Sequence, residues 1–246
     1  MEIIKASSKL ELGKMAAELG AAALKKVIEE KGHANIIVAT GASQFELLEA
    51  LTDKAQGIDW TKVTAFHLDE YVGLPITHPA SFRKYLNERF VDQTDGAVEF
   101  IPVNADADDL EEELKKLSDR VSQIEIDICF AGIGENCHLA FNDPPADFET
   151  EVPYIIVELD EICRKQQFGE GWFETMEAVP TKAVSMSIRQ IMKSKKIILS
   201  VPDERKAQAV KDAVEAAVDP KFPASICRTH ADCTLLLDPE SASLLS

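Results

Sequence analysis

The sequence has little positive charge for its length. Its 246 residues include 26 Lys and Arg against 43 Asp and Glu, which gives a formal net charge of −17. Nonspecific binding to nucleic acid or to anionic lipid requires clustered Lys and Arg, so we expect neither a nucleic acid nor a membrane as a partner. A bound anion would need a local site of backbone N–H groups and a few cations, because the overall field repels it.

Long hydrophobic runs and a cysteine framework are also missing. The first residues lack the basic and apolar segments of a secretion signal, and no stretch reaches transmembrane length. We therefore expect a cytoplasmic protein. The five cysteines are irregularly spaced, which indicates reduced thiols rather than disulfides. Cys227, His230 and Cys233 lie close together but lack a second ligand pair at zinc spacing, and we expect no metal.

Short apolar, β-rich runs alternate with longer stretches of helical period along the chain. The predicted strands are 35–39, 63–68, 98–102, 126–131, 154–159, 196–201 and 233–237. The predicted helices are 8–30, 44–52, 79–90, 106–121, 187–193 and 203–217. This alternation is typical of crossover units that build a mostly parallel sheet. We predict one α/β domain over residues 1–246, a doubly wound, Rossmann-like three-layer sandwich with helices on both faces.

Ligands of such folds bind beyond the carboxyl ends of the strands. The first candidate segment, Thr40, Gly41, Ala42 and Ser43, follows strand 35–39 and opens a helix. Small residues allow a tight turn, and the free amides at the helix start with two hydroxyls suit a phosphate. A plain turn with a Ser cap would give the same residues. The paired glycines and the lysine of nucleotide-binding loops are absent, so no nucleotide cofactor is expected.

Two carboxylates, Asp69 and Glu70, follow the strand 63–68 directly. Carboxylates at the end of a buried strand, flanked by apolar residues, are placed to have raised pKa values and to act as bases on carbon acids. The alternative is a surface pair that caps the next turn.

The Gly-rich segment 132–144 follows the strand 126–131 and holds His138 among acidic and amide residues. A histidine oriented by a carboxylate or an amide can exchange protons near neutral pH, which suits the opening of a sugar ring. Two cations come later in the chain, Arg164 and Lys206. Lys206 lies near a predicted helix start, where the dipole disfavours a cation, and a bound anion would explain it. An exposed charge would explain either residue as well.

Together these segments resemble the glucosamine-6-phosphate deaminase family, also called glucosamine-6-phosphate isomerases, in order along nearly the whole chain. The longest match runs from Phe66 to Leu74 and continues through His78 to Phe82. The segment 132–144 is the second match. The loop at 40–43 and Lys206 fall where that family binds phosphate.

The resemblance implies an enzyme that converts an amino-sugar 6-phosphate and water into a ketose 6-phosphate and ammonia, a C–N hydrolysis with ketol isomerisation, without a metal or an organic cofactor. His138 would pass a proton to or from the ring oxygen, and Asp69 would move a proton from C2 to C1 of the open chain. The implied catalytic residues are Asp69, Asn136, His138 and Asp143. The implied substrate-binding residues are Thr40, Gly41, Ala42, Ser43, Glu70, Arg164 and Lys206.

Two residues near the histidine depart from that family's pattern. Asn136 stands where the best-known deaminases have an Asp that partners the catalytic histidine, and Asp143 stands where they have Glu. An Asn can orient an imidazole but cannot stabilise its charged form as a carboxylate does. We therefore expect ring opening to be slower, or to rely on Glu135 or Asp143.

Three other functions stay open at this point. The related 6-phosphogluconolactonases have a similar glycine and histidine loop but need no base on C2. An epimeric substrate, galactosamine 6-phosphate, differs in one hydroxyl whose contacts the sequence does not show. A sugar-phosphate sensor without catalysis would account for Asn136, and the sequence also leaves a homo-oligomer open.

Overall fold

The computed structural model describes residues 1–246, and its centre is a sheet of seven parallel strands. The ten strands of the chain are β1 (Glu2–Lys5), β2 (Ala34–Val38), β3 (Val63–His67), β4 (Asp69–Tyr71), β5 (Glu99–Ile101), β6 (Ile128–Ala131), β7 (Tyr154–Glu158), β8 (Lys182–Met186), β9 (Lys196–Val201) and β10 (Cys233–Leu237). The spatial order of the parallel sheet is β1-β10-β9-β6-β2-β3-β5. Strands β6 and β10 are wholly buried apolar runs, as expected when both faces of a parallel sheet are covered.

Helices cover the two faces of this sheet. They are α1 (Lys9–Lys31), α2 (Phe45–Thr52), α3 (Phe82–Leu86), α4 (Leu110–Ser122), α5 (Glu161–Gly169), α6 (Ile188–Met192) and α7 (Ala207–Glu215). Alternate residues of β2 point to opposite faces: Ile36 packs in a core with Leu12 of α1, whereas Ile37 packs in a second core with Leu117 of α4 and Val210 of α7. The predicted doubly wound α/β sandwich is thereby confirmed.

A separate antiparallel sheet of three strands, in the order β4-β8-β7, lies beside the main one. The chain enters it directly from β3, since only Leu68 separates β3 from β4. Asp69 pairs with Ser185 and Tyr71 with Ala183 in this sheet. Tyr71 also anchors a small aromatic core with Phe82, where the two ring centroids are 5.0 Å apart. Asp69 is thus fixed by strand pairing rather than carried on a free loop.

The predicted strands 196–201 and 233–237 match β9 and β10, and the other five agree within about three residues at each end. Strands β1, β4 and β8 and helix α5 were not predicted. The prediction failed at β4 because its first two residues are charged, which is unusual for a buried strand. The helix predicted at 79–90 is shorter: Ser81 caps α3, which gives way to a π turn at Asn87–Val91.

The reversal of chain direction in the main sheet sets the place of the site. From β2 the chain winds outward through β3 to β5, and from β6 it winds the other way through β9 to β10. The strands β2 and β6 therefore flank the topological switch point, where open α/β sheets bind ligands at the carboxyl ends of their strands. The helices of the chain include none that is long and apolar enough to cross a membrane.

Candidate active site

A cavity lies at this switch point, beyond the carboxyl ends of β2, β3 and β6. Its empty volume is about 490 Å³, including its opening to solvent. The lining residues are Ala39, Thr40, Gly41, Ser43, Leu68, Asp69, Phe82, Gly132, Ile133, Gly134, His138, Ala140, Phe141, Gln166, Gln167, Glu170 and Lys206. Six of the eleven residues singled out in the sequence, on four separate segments, are among them.

Lys206 supplies the cation of the cavity. It lies in the 3₁₀ turn Glu204–Lys206 that leads into α7, and its side chain is 5% exposed. Its ammonium group makes no ion pair and no hydrogen bond with the protein. Burial lowers the pKa of Lys206, against the opposing effect of the Glu170 and Glu135 carboxylates. A buried ammonium without a partner that faces a cavity is a site for an anionic ligand.

The loop after β2 lies across from this lysine in the same cavity. Gly41 adopts φ of 95°, in the region that favours glycine, and its carbonyl oxygen accepts a hydrogen bond of 2.8 Å from the Tyr85 hydroxyl. Thr40 and Ser43 line the cavity. Ala42 lies in the same turn but does not line it. Backbone amides and hydroxyls at a helix start, with one lysine, form an arrangement that suits a phosphate group.

Asp69 contributes a buried carboxylate to the cavity lining. The residue is 6% exposed, and its Oδ1 is buried without a hydrogen-bond partner. Burial raises the pKa of Asp69 to about 8, and the neighbouring Glu70 carboxylate adds to the effect. A carboxylate that is ionised with difficulty is a strong base once ionised, and an unpartnered oxygen can accept a proton from a ligand.

His138 and Asp143 form a buried hydrogen-bonded pair. The distance from His138 Nδ1 to Asp143 Oδ1 is 2.9 Å, and the two side chains are 8% and 7% exposed. Burial favours the neutral acid, but the hydrogen bond and charge of His138, with further hydrogen bonds, outweigh it and lower the pKa of Asp143. The carboxylate therefore orients the imidazole, whose Nε2 is left to act in the cavity.

Asn136 contacts the carboxylate of this pair rather than the imidazole. Its Nδ2 donates to Asp143 Oδ1 at 2.9 Å and to Asp160 Oδ2 at 3.0 Å. Its Oδ1 accepts from the backbone N–H of His138 at 3.2 Å. The amide thus lies between two carboxylates, and Asp143 rather than residue 136 is the acidic partner of His138. A carboxylate at position 136 would repel both of its neighbours.

Gly134 is required by the position of this imidazole. A Cβ atom at residue 134 would lie 2.1 Å from His138 Nε2, far closer than two atoms can pack. The ring therefore lies directly over the backbone of the glycine turn. This contact, with the hydrogen bond to Asp143, holds the imidazole at the cavity wall.

Glu70, which the sequence predicts to contact the substrate, does not line this cavity. The residue is fully buried, and its carboxylate accepts hydrogen bonds from the Ser81 hydroxyl and from the backbone N–H groups of Tyr71, Phe82 and Arg83. Its physical role is to cap the start of α3, where free amides need acceptors. The negative charge of Glu70 also adds to the effect of burial in raising the pKa of the adjacent Asp69.

Arg164, which the sequence predicts to contact the phosphate, also lies outside this cavity. Its guanidinium donates to the carbonyl oxygens of Met176 and Val179 at 3.0 and 2.9 Å. These hydrogen bonds tie the first turns of α5 to the segment that precedes β8.

Gln166, Gln167 and Glu170 line the cavity and were missed in the sequence. Gln167 Oε1 accepts from the Tyr71 hydroxyl at 2.8 Å, which leaves its amide N–H groups free for a ligand. Glu170 accepts from the Gln166 side chain at 3.0 Å. Gln166 and Gln167 follow Cys163 at helical spacing on the buried face of α5, and Glu170 caps the end of the helix one turn later. That spacing would have identified them had α5 been predicted, whereas Arg164 lies on another face.

Known proteins resemble this chain over nearly its whole length. A sequence model described as glucosamine-6-phosphate isomerases/6-phosphogluconolactonase matches residues 7–236. The glucosamine-6-phosphate deaminase of Listeria monocytogenes serotype 4a is 37% identical over 246 residues, which cover 100% of both chains. That of Exiguobacterium sibiricum is 37% identical over 226 residues, 90% of this chain and 85% of the relative.

Solved structures show the same pattern. A structure described as a monomeric glucosamine-6-phosphate deaminase has a TM-score of 0.90 at 32% identity, with 99% of this chain and 100% of that chain covered. The 6-phosphogluconolactonase of Trypanosoma brucei has a TM-score of 0.81 at 15% identity, covering 100% and 98%. The second likeness shows the fold alone. The family model and the full-length relatives together show that the chain belongs to the family of glucosamine-6-phosphate isomerases and 6-phosphogluconolactonases.

Proposed function

We propose that this chain is an amino-sugar-phosphate deaminase and isomerase that converts glucosamine 6-phosphate and water into fructose 6-phosphate and ammonia. One observation carries the proposal: Asp69, with an unpartnered buried oxygen, lines the same cavity as the unpaired Lys206 and the Asp143-oriented His138. A base for a carbon acid, a cation for a phosphate and a proton carrier for a ring oxygen are the three groups that this reaction needs.

The phosphate is bound by the loop after β2 together with Lys206. The amides of the turn and the Thr40 and Ser43 hydroxyls donate to its oxygens, and the ammonium group supplies the charge. Because the net charge of the chain is −17, this local site must overcome a repulsive field. Binding energy from the phosphate then orients the sugar carbons against the catalytic side chains several bonds away.

His138 opens the pyranose ring. In its neutral form, with Nδ1–H donated to Asp143, Nε2 takes the proton of the anomeric hydroxyl. It then returns a proton to the ring oxygen as the ring bond breaks, which leaves an open-chain aldehyde. Asp143 stabilises the imidazolium formed between the two steps.

Asp69 then moves a proton between two carbons. Its carboxylate removes the proton on C2 of the open-chain amino aldehyde while the aldehyde oxygen O1 takes up a proton, which gives an enolamine. The carboxylate then returns its proton to C1 as the nitrogen loses one, which replaces the proton given to O1 and leaves an imine at C2. Water adds to this imine, and ammonia leaves to give the C2 ketone. The raised pKa of Asp69, about 8, matches a base that takes a proton from a weak carbon acid. Asn136 acts indirectly, by holding Asp143 in place.

The test is incubation of purified chain with glucosamine 6-phosphate, with galactosamine 6-phosphate and 6-phosphogluconolactone in parallel. We expect ammonia and fructose 6-phosphate in equal amounts from the first substrate. Turnover of the galacto epimer at the higher kcat/KM would reassign the substrate. Lactone hydrolysis without ammonia release would reject the proposal.

The lactonase and sensor alternatives lose their support in the structure. Lactonases match this chain at 14–19% identity, which bears on the fold and not on the activity. The sensor alternative depended on the loss of a carboxylate partner for His138, and Asp143 supplies that partner at 2.9 Å. Galactosamine 6-phosphate remains the second candidate, to be separated by the assay.

As part of the same proposal we place the enzyme in the cytoplasm as a monomer that acts as one domain over residues 1–246. All five cysteines are free and buried, which suits a reducing compartment. The structural relative with a TM-score of 0.90 is described as monomeric, which favours a monomer over the homo-oligomer that the sequence left open. The molar mass of the purified chain, measured by light scattering, would test whether it is a monomer. Cell fractionation would test the compartment.

A further inference from the structure

A third potential ligand lies against the His138–Asp143 pair. One ligand atom each from His138, Asp143 and Cys163 lie within 4.8 Å of one another. Cys163 is fully buried, and its thiol belongs to neither the phosphate loop nor the proton-transfer groups. A nitrogen, a carboxylate oxygen and a sulfur at this spacing are the donor types of tetrahedral transition-metal sites.

The backbone around Cys163 holds the three side chains together. Asp160 caps α5, and its Oδ1 accepts from the Cys163 N–H at 2.6 Å. The backbone N–H of Asp160 in turn donates to Asp143 Oδ2 at 2.9 Å. The thiol in the first turn of α5 is therefore clamped against the carboxylate that orients His138. In a tetrahedral site with bonds of about 2.0–2.3 Å, neighbouring ligand atoms lie about 3.5 Å apart. The three atoms, which lie within 4.8 Å of one another, therefore move closer by up to about 1.3 Å when an ion binds.

We propose that His138, Asp143 and Cys163 form an inhibitory site for a thiophilic divalent cation such as Zn²⁺. The ion binds His138 Nδ1, one oxygen of Asp143 and the Cys163 sulfur, and water completes its coordination. The thiol proton is released to solvent, and the proton on Nδ1 is replaced by one on Nε2. No group is oxidised or reduced. Because Nε2 then carries a proton and Asp143 is engaged by the ion, His138 can no longer accept the proton of the sugar.

An acidic hollow provides the route for the ion. Asp143 and Asp160 line a second cavity on the chain, together with Asp147 and Glu158. His138 lines the catalytic cavity, so the hydrogen-bonded pair spans the wall between the two. Carboxylates at the mouth and a net charge of −17 concentrate cations there. The ion therefore reaches Asp143 without passing the phosphate site.

The binding step is independent of the proposed activity, and only the inhibition rests on it. The first measurement is therefore a titration of the metal-free full-length chain with Co²⁺, followed by absorption in the near ultraviolet and visible regions. We expect one ion per chain with a thiolate-to-cobalt band, which Zn²⁺ then displaces. The band should disappear in Cys163→Ser and persist in Cys137→Ser. Cys137 is a matched control, since it is equally buried, precedes His138, and places its sulfur 3.5 Å from the Ala209 carbonyl oxygen instead.

The second measurement is the Zn²⁺ concentration that halves ammonia release, relative to the metal-free rate of each variant. We expect Cys163→Ser to raise this concentration at least about 10-fold and Cys137→Ser to leave it unchanged. A cobalt–thiolate band that survives in Cys163→Ser, or no band in the wild-type chain, would overturn the proposal. If Cys163→Ser fails to unfold cooperatively, Cys163→Ala replaces it. A chain without deaminase activity that still shows the Cys163-dependent band would keep the metal site and reject the enzyme assignment.

Discussion

Replacing Asp69 with Asn should lower kcat sharply and at the same time stabilise the fold. The Asn side chain keeps the shape of the protonated acid, and no hydrogen bond is lost, because the Asp69 carboxyl makes none with the protein. The variant lacks the carboxylate that removes the proton on C2 of the substrate. A general base contributes about 10²–10⁴-fold to a rate, so kcat should fall by that factor while fructose 6-phosphate still binds.

The gain in stability follows from the pKa of Asp69 in the folded chain, about 8, against an ordinary value near 3.9 in the unfolded chain. Folding favours the protonated acid, so the wild-type chain loses stability as the pH rises from about 4 to 8. At about 1.4 kcal/mol per pH unit, the cost at pH 7 is on the order of 4 kcal/mol, and at pH 5 it is on the order of 1–2 kcal/mol. The Asn side chain does not ionise, so the free energy of unfolding of Asp69→Asn lacks this loss.

The assay is urea unfolding of both chains at pH 5, 6, 7 and 8, with m-values compared at each pH. We expect the difference in free energy of unfolding to grow with pH in favour of Asp69→Asn. The matched control is Asp143→Asn, which should be less stable than the wild type by an amount that stays constant from pH 5 to 8, because the lowered pKa of Asp143 confines the loss of its stabilisation to pH values below about 4. A difference for Asp69→Asn that does not change with pH, or a retained kcat, would refute the reasoning.

Three further variants test other parts of the site. Lys206→Ala removes the unpaired ammonium of the cavity and should raise KM for the sugar phosphate about 10-fold or more. The measurement is initial rates with inorganic phosphate as a competitor, and an unchanged KM would place the phosphate elsewhere. Asn136→Asp puts a third carboxylate within hydrogen-bonding distance of Asp143 and Asp160 and should lower kcat, so a faster variant in initial-rate assays would contradict the assigned network. Arg164→Ala should leave KM unchanged and cost about 1–3 kcal/mol in urea unfolding, because its hydrogen bonds go to backbone carbonyl groups and not to the cavity.

The strands of the main sheet could be predicted because burial on both faces requires runs of apolar residues in the sequence. Strands such as β6, β9 and β10 are short and mostly apolar runs between polar turns. The position of the site followed from the same pattern. Residues after β2, β3 and β6 converge because parallel strands bring their carboxyl ends to one edge of the sheet. Asp69 and His138 could therefore be named as candidates before any coordinates.

The roles of charged residues could not be predicted in this way. Glu70 adjoins Asp69 in sequence, yet strand pairing in β4 turns the two side chains to opposite faces, one to the cavity and the other to the start of α3. Arg164 depends on the rotation of α5, whose boundaries the sequence pattern did not reveal. In each case the outcome depends on contacts with residues far away in the chain.

By itself, the sequence determined the fold class, the edge of the sheet where the candidate site lies, and the catalytic candidates Asp69 and His138, because hydrophobic period and the alternation of strands with helices are local properties. Only the tertiary structure decided the partner of His138. Asp143, Asn136 and Asp160 meet because the glycine turn after β6 and the start of α5 pack together, and the proton of an imidazole is directed by its neighbours in space. The same packing brought the Cys163 thiol to the back of the catalytic pair.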